Sequence, residues 1–103
     1  MNQRVRLTKQ LLREAMLHRL EQGDVDKVTV VALCQEAGIN RSTFYRYYDE
    51  TSDVVKDIEE GILRDIQEIL SRIDPSSEAS YLYGMDEMFA YLYENRRSIR
   101  LLL

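Results

Sequence analysis

Arg41, Ser42, Thr43, Tyr45, Arg46 and Tyr47 crowd into seven consecutive positions of a 103-residue chain. A guanidinium group can grip a guanine edge through two hydrogen bonds, worth about 1–3 kcal/mol of discrimination between bases. Hydroxyls of Ser, Thr and Tyr suit phosphate oxygens, which hold a protein in place without specifying sequence. The segment RSTFYRYY also contains Phe44 and Tyr48, four residues apart and so on one side of a helix. Burying that pair leaves the other six on the sides and front. A plainer account, a solvated helix with two arginines for solubility, leaves so dense a set of hydrogen-bonding groups unexplained. The set is one that a nucleic acid would engage.

Such groups need a scaffold, and the flanking residues outline one. Residues 29–37, TVVALCQEA, read as a short helix capped by Thr29. Val30, Leu33, Cys34 and Ala37 fall at i, i+3, i+4 and i+7 and make one buried stripe. Gly38-Ile39-Asn40 forms a tight turn, with Gly38 supplying a positive φ at no steric cost and Asn40 capping the next helix, residues 41–48. Cys34 is the small side chain needed where the two helices cross, Ile39 plugs the gap, and Phe44 anchors the second helix. Two short helices joined by a glycine turn make the helix-turn-helix plan, whose second helix enters the major groove by its N-terminal end. The helix start adds an attraction for phosphate.

The rest of the chain also reads as helical. Residues 8–22 form a first helix capped by Thr8, with Leu11, Leu12, Ala15, Met16 and Leu20 on one face and Gly23 at its end. The stretch GDVDK is a short polar loop. A long helix runs from about Ser52 to Ile73 with Val55, Ile58, Ile62, Ile66, Ile69 and Ile73 spaced by three or four; it would be about 33 Å long. Asp74-Pro75 ends it. Ser76 or Ser77 caps a fifth helix to about Glu94, with Leu82, Met85, Met88, Phe89 and Leu92 on its apolar side. RRSIRLLL begins a sixth helix that stops at Leu103, as a fragment of a longer chain would. No strand pattern occurs. The fold expected is all-α: a three-helix DNA-binding domain over residues 1–50, then over residues 51–103 a long connecting helix and part of a helical regulatory or dimerisation domain.

Other chemistry is poorly served. Cys34 and His18 are the only cysteine and histidine, too few for a metal site. Cys34 lies on a buried stripe, where small size explains it better than nucleophilic catalysis does. Asp53, Asp57 and Glu60 form a solvated acidic ridge, with Arg64 placed to pair with Glu60. Tyr81, Tyr83, Tyr91 and Tyr93, with Met85 and Met88, could line a ligand cavity, though core or interface packing explains them more simply. The glycines are isolated, so no phosphate-cradling loop exists. The chain is not expected to be an enzyme or to need a cofactor. No apolar run approaches the roughly 20 residues of a membrane span, and the N-terminus is no secretory signal, so a cytoplasmic setting fits.

The net charge of −4 is unequally shared. Residues 1–48 hold eight Lys/Arg against five Asp/Glu, and residues 49–103 hold six against thirteen. A basic head and an acidic body result, the arrangement of a protein that meets a polyanion at one end.

The stretch TVVALCQEAGINRSTFYRYYDETSDVV resembles the signature of the tetracycline-repressor (TetR/AcrR) family: a Thr-capped helix, an Ala-Gly-Ile turn, then S-T-F-Y and an aromatic before a long helix. TKQLLREAMLHRLEQG is similar to that family's first helix. The resemblance spans roughly residues 6–60 and is loose beyond. It implies a regulator of transcription, a repressor by preference, that binds a palindromic operator in double-stranded DNA as a homodimer and answers to a small-molecule effector. It implies that Thr29 touches phosphate and that Arg41, Ser42, Thr43, Tyr45, Arg46 and Tyr47 face DNA. A basic N-terminal arm, here Arg4, Arg6 and Lys9, would contact the DNA backbone. One departure stands out: the family commonly has a phosphate-binding lysine at the start of helix four, where this chain has Asp49-Glu50-Thr51. That acidity supports a rival expectation, a TetR-like helical module that binds a partner protein instead of DNA.

Overall fold

In the computed structural model, which describes residues 2–23 and 28–103, the chain is all-α. The described residues form six helices and no strand. They are α1 (Gln3–Glu21), α2 (Val30–Ala37), α3 (Arg41–Tyr47), α4 (Thr51–Ser71), α5 (Glu78–Glu94) and α6 (Arg96–Leu102). Residues 24–27, most of the GDVDK loop, lie outside the described residues.

The first helix begins five residues earlier than its expected start at Thr8. Asn2 is the cap, its Oδ1 accepting from Val5 N at 2.9 Å. Thr8 sits buried inside α1 and donates its hydroxyl to the Arg4 carbonyl one turn back, at 2.9 Å. That bond satisfies a mid-helix threonine as well as a capping one would. Arg4, Arg6 and Lys9 therefore belong to a helix and not to a free arm. The far end closes near Gly23, whose φ of 81° is left-handed.

The break between α2 and α3 follows the local demands of the backbone. Thr29 Oγ1 accepts from Ala32 N at 3.1 Å and caps α2. At the other end, Gly38 N donates to Gln35 O at 3.3 Å and Ile39 N to Cys34 O at 3.0 Å. This pair of bonds is a Schellman closure, with Gly38 at φ 71°, ψ 32°. A side chain at Gly38 would meet no neighbouring atom, so only the left-handed backbone argues for glycine there. Asn40 then caps α3 through Thr43 N at 3.1 Å. Helix α3 stops one residue sooner than expected, because Tyr48 is extended at φ −139°, ψ 150°.

Two compact units divide the chain within α4: Met1–Ile58 and Glu59–Leu103. The first takes in the opening turns of α4 because Val54 and Ile58 are buried in it. Its core also contains Leu12, Ala15, Met16, Leu17, Leu20, Leu33, Cys34, Ala37 and Phe44. Phe44 and Leu33 have no exposed surface at all. Val54, not the expected Val55, joins Ile58, Ile62 and Ile69 as a buried residue of α4; Val55 is half-buried.

The second unit buries far less. Ile62, Ile69, Gly84, Met88 and Ser98 are its buried residues. The expected apolar side of α5 is mostly open, with Leu82 and Phe89 57% and 62% exposed. Tyr81, Tyr83 and Tyr93 are exposed as well, and Tyr83 borders an open cleft of about 250 Å³ with Ile69, Arg72, Ile73, Ser80, Gly84 and Glu87. Tyr91 donates its hydroxyl to Asp65 at 2.8 Å, and Arg72 pairs with Glu87. These bonds tie α5 to α4. Gly84 packs against Ile73, just beyond the end of α4: a Cβ there would lie 2.3 Å from Ile73 Cγ1. Alanine is the better helix former by about 1 kcal/mol, yet overpacking costs about 1–3 kcal/mol. Gly84→Ala should therefore lower the thermal midpoint of the protein, and adding Ile73→Ala should recover part of that loss. A single G84A variant that melts higher than wild type contradicts this packing.

Candidate nucleic-acid interface

Helix α3 carries the polar set, and the buried side of the helix decides its direction. Phe44 is locked in the core, with Tyr48 tilted against it at 5.6 Å between ring centroids. Tyr45 stands edge-on to Phe44 at 5.4 Å and is 54% exposed. Arg41, Ser42, Tyr45 and Arg46 are exposed, and Thr43 and Tyr47 are half-buried. Neither Arg41 nor Arg46 forms an ion pair with a carboxylate among the described residues. Both guanidinium groups thus keep their donors for another molecule.

The hydroxyls of Ser42 and Thr43 are differently placed. Both donate to Asn40 Oδ1, at 2.6 and 3.2 Å, alongside Thr43 N. To donate to a phosphate they must rotate away from the cap. Thr29 is exposed, and its oxygen accepts the Ala32 amide. Its own hydroxyl proton is not needed for that bond.

The structure separates the three basic residues of α1. Arg4 lines a polar cleft of about 260 Å³ together with Thr8, Asn40, Ser42, Thr43, Arg46 and Tyr47. Arginines some forty positions apart in sequence thereby border the same space, a convergence that no local pattern discloses. Arg6 is exposed and falls roughly 200° around the helix from Arg4. Lys9 turns inward. Its Nζ lies 3.8 Å from Asp57 Oδ2, 5.9 Å from the Tyr47 ring centroid and 5.6 Å from that of Tyr48. Tyr48 donates its hydroxyl to the same Asp57 oxygen at 2.6 Å. Burial, then that bond and the charges of Asp57 and Asp53, push the Tyr48 phenol well above its usual pKa. It stays protonated as the donor.

The acidic start of α4 has a structural task. Asp53 Oδ2 accepts the backbone N–H groups of Asp49 and Glu50, both at 3.0 Å. Thr51 donates its hydroxyl to Val28 O at 2.9 Å. The amide bonds to Glu50 and Asp49 hold the Asp53 carboxyl below its usual pKa of 3.8. A carboxylate with a depressed folded-state pKa stabilises the fold above its unfolded value, and the effect is lost as pH falls through the folded one. Asp53→Ala should therefore lower the melting midpoint near neutral pH and shrink the extra loss that wild type suffers below pH 3.8. Parallel melting curves for the two proteins from neutral to acid pH would contradict the cap.

His18 and Cys34 stand apart from this surface. His18 is exposed on α1, with Nδ1 2.9 Å from Glu36 Oε2 and Nε2 3.1 Å from Gln22. Arg19 donates to the other Glu36 oxygen at 2.9 Å, so Glu36 links α1 to α2. Cys34 is buried, and burial raises its thiol pKa against a smaller lowering by Arg41. No group of three or more metal-ligating side chains occurs among the described residues. Nor is any helix among them long and apolar enough to cross a membrane.

Comparison with known proteins gives a distant relative. Over 89 residues the chain is 22% identical to an uncharacterized HTH-type transcriptional regulator, YxbF, of Bacillus subtilis (strain 168). The match covers 82% of this chain and 23% of the relative, so the chain spans about a quarter of that protein's length. No protein-family model and no solved structure matches.

Proposed function

We propose that this protein binds duplex DNA and regulates transcription, with α3 as the recognition helix. One observation carries the reading. After the left-handed break at Gly38, a helix anchored by Phe44 presents Arg41, Ser42, Tyr45 and Arg46 outward, with both guanidinium groups free of carboxylate partners among the described residues. Arg41 and Arg46 approach base edges, where an arginine can discriminate a guanine. Thr29, Ser42, Thr43, Tyr45, Tyr47 and Arg4 hold the phosphate backbone. The distant Bacillus subtilis relative, an uncharacterized HTH-type transcriptional regulator by name, supports the same class of function.

The finer reading follows the TetR-like motif. The protein is a non-enzymatic, cytoplasmic repressor that works as a homodimer on a palindromic operator, its half-sites about one DNA turn (roughly 34 Å) apart. A small-molecule effector releases it. Selection of bound duplexes from a random pool tests this directly. A palindrome with half-sites about one turn apart is the expected product, and affinity for it should fall steeply with salt as counterions are released. Failure to enrich any sequence, with retention that ignores salt, counts against it. A second reading draws on the open apolar surface of α5, where Leu82, Tyr83, Phe89 and Tyr93 are exposed. A helical module that binds a partner protein through that surface would be untouched by changes on α3.

A further inference from the structure

Lys9 has the charge of a phosphate ligand but the surroundings of a brace. We infer that Lys9 is a positioning residue for the DNA-binding face: paired with Asp57 and packed on the rings of Tyr47 and Tyr48, it fixes Tyr47 and the end of α3 from behind. This rests on the DNA-binding reading above.

Three helices meet at this ammonium. Lys9 comes from α1, the two rings from the last residue of α3 and the extended residue after it, and the carboxylate from the second turn of α4. Both ring centroids lie within the roughly 6 Å over which a cation is attracted to an aromatic face. Asp57 Oδ2 accepts the Tyr48 hydroxyl at 2.6 Å while facing Lys9 at 3.8 Å, so one oxygen serves both neighbours. The Lys9 side chain is 31% exposed, and part of its charge is already balanced by the carboxylate. Tyr47 itself lines the polar cleft with Arg4 and Arg46. Lys9 therefore acts on the nucleic acid through the ring it supports.

The two roles predict opposite consequences for Asp57. A lysine that holds phosphate is freed when its carboxylate partner is removed, and a negative charge near a polyanion disappears as well. Binding should then tighten or stay level. A lysine that braces α3 loses its anchor, and binding should weaken. The experiment compares wild type, Lys9→Met, Asp57→Asn and the double variant by titration with mixed-sequence duplex DNA at several salt concentrations. Each single variant is expected to lose about three- to tenfold in affinity, as loss of one cation–π and ion-pair brace would give. The double variant should lose no more than the worse single. Because no phosphate contact is removed, the slope of log affinity against log salt should stay at the wild-type value. A lost phosphate contact would instead reduce that slope by about one.

Thermal unfolding of the same four proteins supplies a reading without DNA. The midpoint shifts of the two single variants should fail to add in the double variant, since one network is broken in each case. Tighter DNA binding by D57N, a reduced salt slope for K9M, or additive midpoint shifts each overturn the positioning role while leaving DNA binding intact. Absence of salt-dependent duplex binding by wild type overturns the DNA-binding reading itself, and this assignment with it.

Discussion

Truncating Phe44 to alanine should destabilise the first unit by about 3–5 kcal/mol, the usual cost of removing a fully buried phenyl ring. The ring has no exposed surface and touches both Tyr45 and Tyr48. Few domains hold more than about 5–15 kcal/mol in total, so a large part of the folded population is at stake. Denaturant unfolding followed by circular dichroism measures it. The same variant should lose DNA binding in parallel, because α3 has no other fully buried side chain among its seven residues to hold it. An unchanged unfolding midpoint would show that α3 is anchored by something else.

Arg46→Ala should act on binding alone. The side chain is exposed and makes no ion pair among the described residues, so stability should move by no more than about 0.5 kcal/mol. Affinity for a selected operator should fall by about 1–3 kcal/mol, roughly five- to 150-fold. Preference at one base position should relax with it, which distinguishes loss of a base contact from loss of a phosphate contact. Titration of operator duplexes changed one base at a time makes the measurement. Full affinity in R46A removes α3 from the interface.

Much of this site could be read directly from the order of residue types. Thr29, Gly38 and Asn40 satisfy or close backbone groups within three or four positions of themselves, so their roles need no knowledge of the fold. Phe44 and Tyr48 mark the inward side of α3, and the outward set follows by subtraction. What periodicity could not decide was choice between equals. Thr8 looks like a helix cap, yet Asn2 caps and Thr8 bonds back to Arg4. Val54 and Val55 are adjacent valines about 100° apart, and only packing selects the first.

Pairings at a distance were illegible for a different reason. A pattern of apolar spacing says which way a residue faces, not what it faces. The meeting of Arg4 with Arg46 at one cleft, and of Lys9 with Asp57, depends on how α1, α3 and α4 pack. Likewise, the spacing of Leu82, Met88 and Phe89 gave an apolar side of α5, but could not tell that of these only Met88 would be buried. Leu82 and Phe89 remain exposed.

The solitary thiol gives the first unit an internal clock. Cys34 is 3% exposed and its proton is held more tightly than usual, so a small thiol reagent in the surrounding water finds neither an accessible sulfur nor a thiolate. Chemical labelling must wait until α2 lifts from its neighbours. With one cysteine in the chain, every labelled molecule records a single kind of opening event, and its rate reports the opening equilibrium. Adding operator DNA should slow that clock in proportion to how firmly the duplex holds α2 and α3 together.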